Sequence, residues 1–340
     1  MKRLSLAFVS LLIASSALAA EPPGYKVSQK LAIGGDGGWD YLTVDAAARR
    51  VYVSHATKVV VLDADGGNVV GEIPDTQGVH GIALAPELNR GFISNGRSST
   101  ITIFDTKTLK RIEDVKSSGE NPDAILYDPV SRRVFAFNGR TANATVLDAA
   151  SGKVEGTIPL AGKPEFSASD GAGRVFVNIE DKSTIAVIDP RKMSVEKTWP
   201  LAPCEEPSGM AIDRAQGRLF IGCSNKLMAV VDAGSGKVVA TVPIGAGVDA
   251  NGYDPGTGFA FASCGDGTLT VAAAEGPDKY VVAQKLETQR GARTMGLDEK
   301  THAVFLPTAQ FGPPPSPSTE NPRPRPSLVP GSFVVLVVTK

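Results

Sequence analysis

Seven evenly spaced positions constrain the fold of this chain more than any other feature: Asp40, His80, Asp123, Glu165, Ser208, Asp249 and Arg293. Successive separations are 40, 43, 42, 43, 41 and 44 residues. A period in this range, held from end to end, is the mark of one propeller blade per repeat. The repeat Pro207–Gly247 shows the unit. Its apolar runs MAI, RLFIG, KLMAVVD and KVVATVPI are cut by the turns DRAQG, SN and AGSG. Each run is short and mostly apolar, with β-branched residues prominent and no helical spacing, so it reads as a strand. A lone four-stranded meander leaves two apolar faces uncovered and is unstable. Six neighbours of the same kind cover them.

Further columns keep the same register. Five residues after each of the seven positions stands an Asp in six repeats: Asp45, Asp128, Asp170, Asp213, Asp254 and Asp298, with Ala85 the exception. An Asp there caps a tight turn by accepting from backbone N–H groups. The second strand opens on an aromatic in all seven repeats (Tyr52, Phe92, Phe135, Phe176, Phe220, Phe261 and Phe305), which predicts packing between sheets. The third strand ends in Asp63, Asp105, Asp148, Asp189 and Asp232.

These second-strand tetrads, among them Tyr52-Val53-Ser54-His55 and Phe92-Ile93-Ser94-Asn95, resemble the Tyr-Val-Thr-Asn pattern of the YVTN-repeat β-propellers. That family includes YncE-like exported bacterial propellers. The resemblance runs from about Gly38 to the C-terminus. The signature of WD-repeat propellers, Gly-His with a terminal Trp-Asp, is absent. The expectation is an all-β, seven-bladed propeller of four-stranded antiparallel blades, forming one domain over residues 21–340. The resemblance implies a non-catalytic binding or scaffold protein. Similar propellers that act as lactonases supply a second reading, and single-stranded DNA binding, reported for members of this group, a third.

The last repeat offers only three strands: Thr294–Leu297, Ala303–Leu306 and Ser332–Val338. At the other end, Tyr25–Ile33 is a strand without a blade. Pairing the two would close the ring and remove an exposed edge. Residues 310–331, QFGPPPSPSTENPRPRPSLVPG, interrupt that blade; their prolines bar helix and central strand, so an extended loop is expected. Residues 1–20 read as a signal peptide: Lys2 and Arg3, then an apolar run too short to span a bilayer, then Ala17-Leu18-Ala19. The protein is therefore expected in the periplasm or outside the cell, without a membrane span, as a monomer. The formal net charge of −1 gives no basic footprint for nucleic acid, which makes that partner the least favoured.

In a meander, entry to strand one and exit from strand two share an edge. The seven positions should therefore share one face with His55, Asn95, Asn138, Cys223 and Cys264 and converge on one funnel. The resulting ligand-binding set is Asp40, His80, Asp123, Glu165, Ser208, Asp249, Arg293, Asn95 and Asn138. It is expected to receive a small molecule or a protein partner. Carboxylate and imidazole also suit a divalent cation, for which Asp40, His55, His80 and Asp123, from neighbouring blades, are the candidate ligands. The lactonase reading draws on Glu165, Asp249 and the Asn95/Asn138 pair. Trp39, Tyr41 and Trp199 read as core or rim packing, and His302 as a surface residue by the opposite turns. Three cysteines allow one disulfide, either Cys204–Cys223 or Cys223–Cys264.

Overall fold

The computed structural model describes residues 23–316 and 326–340. The expected export segment and the middle of the Pro-rich loop lie outside these residues. Seven four-stranded antiparallel sheets form the ring of a β-propeller. Blade 1 shows the pattern: Trp39–Asp45, Arg50–His55, Lys58–Asp63 and Val69–Ile73, in sequence order from the inside outward. The next five innermost strands are Val79–Ala85, Pro122–Asp128, Pro164–Ser169, Pro207–Asp213 and Val248–Asp254. Two single turns of 3-10 helix are the only helical elements among the described residues.

Blade 7 is closed as its missing strand requires. Its order is Gly296–Asp298, Ala303–Thr308, Val334–Thr339 and then Lys26–Ala32 from the other end of the chain. Lys26 pairs with Thr339 and Ala32 with Val334. Tyr25 anchors the closing strand. It is 2 % exposed, edge-on to Phe261, and the Gln284 amide bonds both its backbone N–H and its C=O. No helix among the described residues is long and apolar enough to cross a membrane.

The aromatic column packs as its position requires: all seven rings are at most 1 % exposed. Phe135 sits on Val175 and Val177 of the next blade, and Phe220 on the alanine face of Ala260, Ala262 and Ala272. The Asp column makes the turns. Asp45 accepts from Ala48 N–H, Asp213 from Ala215 and Gln216, and Asp254 from Gly256. The third-strand aspartates do the same at the outer turns, where Asp148 takes Ser151 and Asp232 takes Ser235.

Asp298 adds a second clip to the closure. It is fully buried and accepts from Lys300 N–H and the Thr301 hydroxyl, and it pairs with Arg49 of blade 1 at 2.7 Å. Asp298→Ala strips both turn bonds and leaves Arg49, itself largely covered, short of one partner. We expect a loss of about 2 kcal/mol, measured by denaturant unfolding. Asp65→Ala, which removes only an exposed partner of Arg49, should cost far less.

The blades are also sewn to one another beneath the funnel. Ser94 donates to the backbone carbonyl of Asp123, Asn178 to that of Ser208 at 2.8 Å and Ser263 to that of Arg293 at 2.6 Å. Thr294 completes the turn by donating to the Asp40 carbonyl at 2.5 Å. Each of these bonds runs from one blade to the innermost strand of the next or, at Arg293, to the segment leading into it, and each holds a funnel residue by its main chain.

Candidate functional site

The seven column residues do converge, and five of them form a hydrogen-bonded arc. Ser208 donates to Asp249 at 2.8 Å, and Arg293 binds Asp249 at 2.5 Å and Asp40 at 3.4 Å. His80 Nδ1 lies 2.6 Å from Asp40 and 3.6 Å from Asp123. Glu165, next along the ring, turns instead to Lys163 at 2.6 Å, and Lys163 also holds Glu180. The ring is thus built from one repeated backbone position that carries Asp, His, Glu, Ser or Arg according to the blade.

Beneath it the channel has an aromatic floor. Tyr41 of blade 1 stacks on Phe166 of blade 4, with centroids 4.3 Å apart and planes 19° apart. Each follows its blade's column residue, Asp40 or Glu165, so their contact bridges the channel. Phe166 in turn touches two of the apolar clusters between blades. Tyr41 was legible only as packing; that it meets Phe166 could not be read from residues 125 positions apart.

The electrostatics are those of crowded, half-dry acids. Burial raises Asp123, Asp249 and Glu165, the last to about 8 with Asp123 adding its repulsion. Burial works the other way on His80, but Asp40, Asp123 and Glu165 overcome it and hold the imidazolium to about 9. Protonated His80 therefore donates from Nδ1 to Asp40. The Tyr41 phenol is raised by burial and by the surrounding carboxylates.

Three residues assigned to the funnel from sequence lie elsewhere. His55 ends its strand opposite Trp39, one residue out of step with Asp40. It is 1 % exposed and stacks at 4.1 Å on Phe333, which the chain delivers from blade 7. Burial lowers its pKa. It is absent from the group of metal-ligating atoms that approach within 4.8 Å, which holds Asp40, His80 and Asp123. Asn95 and Asn138 are buried inside their own blades. Asn95 donates to Thr100 and Thr102, and Asn138 to Asn143 and Thr145. Their amides brace strand ends and do not enter the mouth.

The remaining residues fall into place around the site. Cys204 and Cys223 form the disulfide, with Cα atoms 5.4 Å apart, and Cys264 is free and buried. His302 lies by the opposite turns and pairs with Asp254 at 2.8 Å. Trp199 is core, stacked on Phe176. Trp39 packs at the rim against Phe333 and Phe311.

Ring, floor and sewn backbone define the class: a β-propeller repeat protein with an acidic funnel. No family model matches the chain. It is similar to WD repeat-containing protein 90 of Homo sapiens, with 28 % identity over 174 residues, which is 48 % of this chain and 10 % of that protein. The chain spans about a tenth of the length of this curated relative. The likeness fits the propeller fold.

Proposed function

We propose that this protein is an exported, non-catalytic binding propeller of the YVTN type, and that its funnel receives a cationic group on a small molecule or a protein partner. One observation carries the reading: four carboxylates ring an aromatic floor, and three of them are held above their usual range. A cation over Tyr41 and Phe166 gains both charge and ring-face attraction. It also releases the protons that the crowded acids retain. Binding should therefore tighten as pH rises towards 8, the range over which Glu165 ionises.

Calorimetry with benzyltrimethylammonium tests this, with neutral benzyl alcohol as the comparison. We expect the cation to bind and the alcohol not to, with proton release on binding. Asp123→Asn should weaken binding about tenfold, as for a lost charge contact in a half-dry site. Equal binding of both probes, or of neither, would refute the reading. Sequencing the N-terminus of the secreted protein tests export; a start near residue 20 is expected.

The Asp40–His80–Asp123 triangle supports a second reading, metal-assisted hydrolysis of the lactonase type. Its donors, two carboxylates and one imidazole, suit a divalent cation and leave coordination positions open. When bound, the metal would polarise a carbonyl. Asp40 and Asp123 would hold it, His80 would have to surrender the Nδ1 proton it gives Asp40, and Asp249 or Glu165 would accept a proton from water. A melting temperature that rises with Mn2+, falls back with chelator and loses its response in His80→Ala is the expected result for this reading. No response in the wild type removes it.

A further inference from the structure

A second hollow of about 450 Å3 opens beside the funnel, within the size range of small-molecule sites. Trp39, Phe311 and Leu328 supply apolar wall, and Arg290 and Arg293 supply charge. The wall is built rather than draped. Phe311 and Leu328 form an antiparallel bridge at the two ends of the Pro-rich insertion. Two flanking bonds, Gly312 N–H to Ser327 O at 2.8 Å and Val329 N–H to Gln310 O at 2.9 Å, hold it. Gly291 lets the Phe311 ring lie close against the main chain. A Cβ there would meet the ring at 2.7 Å, and its φ of +86° suits glycine.

The two guanidinium groups are not equivalent. Arg293 is spent on Asp249 and Asp40. Arg290 is exposed, lies 5.3 Å over the Phe311 ring and has no carboxylate partner among the described residues. The Trp39 indole N–H is buried, without a partner among the described residues, so Trp39 serves the hollow through its ring. Among the described residues, the hollow therefore offers one cation without a carboxylate partner, Arg290, on an apolar corner. Trp39 and Phe311 meet at 61° with centroids 6.2 Å apart. Rings so placed leave no parallel slot for a stacked base, but they do form a corner for a compact apolar body.

We propose that this hollow is a binding site for a monocarboxylate with a compact apolar body. The body rests on Trp39, Phe311 and Leu328, and the carboxylate takes the Arg290 guanidinium. A dianion such as phosphate would bring one charge too many to Arg290, the one guanidinium of the hollow without a carboxylate partner among the described residues, and would wet the apolar walls. The site is distinct from the funnel in charge preference and touches it only through Arg293.

The test is calorimetry on the full chain with 3-phenylpropionate, its alcohol 3-phenylpropanol and its amine 3-phenylpropylamine. We expect the acid to bind at least tenfold more tightly than either of the others. Arg290→Gln and Phe311→Ala should each weaken the acid about tenfold with little change in melting temperature. In a Trp199→Phe background, where Trp39 is the sole indole, acid should shift the emission. Equal affinity of acid and alcohol, an Arg290→Gln variant that binds as wild type, or no heat and no spectral change would each overturn the proposal. Glu165→Gln should leave acid affinity intact, so the two sites stand or fall separately.

Discussion

A chain lacking Tyr25–Ile33 should lose its cooperative unfolding transition or melt far below the intact protein, and it should scatter light on concentration. The deletion removes every backbone pair from Lys26–Thr339 to Ala32–Val334 and leaves Val334–Thr339 as an open apolar edge. It also empties the hole that Tyr25 fills against Phe259 and Phe261. Losing a buried aromatic costs about 3–5 kcal/mol, before the ladder bonds are counted. An unpaired edge next to it templates association. Thermal unfolding with light scattering measures both effects. Supplying the deleted strand as a peptide should restore part of the lost stability, which separates an open ring from a chain that merely folds badly. A truncated protein as stable as the intact one would show that the ring does not depend on this strand.

Replacing Glu165 by Gln should stabilise the protein at alkaline pH while weakening its hold on a cation. The folded protein holds the Glu165 proton to about 8, against an ordinary 4.5. As pH rises through that window the unfolded chain releases its proton first, so wild-type stability falls from about pH 4.5 and levels off above 8. Gln has no proton to lose. The two melting curves should therefore coincide at pH 4 and separate progressively up to pH 9. The shift, at about 1.4 kcal/mol per unit, corresponds to several kcal/mol. The opposing pull of Lys163 is already contained in that value, and Lys163 keeps Glu180 as a partner when Gln stands at 165. Melting temperature against pH, beside benzyltrimethylammonium affinity, checks both halves. Parallel curves at all pH values would show that burial does not strain this carboxylate.

Much of the architecture was legible because it is written seven times. An aromatic that must be buried, an Asp that must cap a turn and a missing strand at one end are each local requirements repeated in register. Tyr25–Ile33 could be assigned to blade 7 because the strand count came out one short there. The funnel was legible in part. Topology alone brings Asp40, His80 and Asp123 to one edge. His55 was misplaced because sharing an edge does not fix which side of the sheet a residue faces. It pairs opposite Trp39, and its ring is claimed by Phe333, a residue far along the chain that no local pattern announces. Asn95 was drawn inward by Thr100 and Thr102 and Asn138 by Asn143 and Thr145, partners five and seven residues ahead that matter only once the hairpin has formed. The choice of Cys204 over Cys264 as partner for Cys223 depended on how the loop entering blade 5 folds back.

The bonds from Ser94, Asn178, Ser263 and Thr294 reach main-chain carbonyls of the funnel residues, not their side chains. The scaffold therefore grips Asp123, Ser208, Arg293 and Asp40 by groups that every amino acid possesses. These four bonds make no demand on the side chains they hold, and the mouth behaves like a field in which these four characters can be rewritten without resetting the page. Ligand preference in such a molecule is free to drift by single substitutions while the fold stands still. A new specificity should be obtainable from this chain by changing those four letters alone.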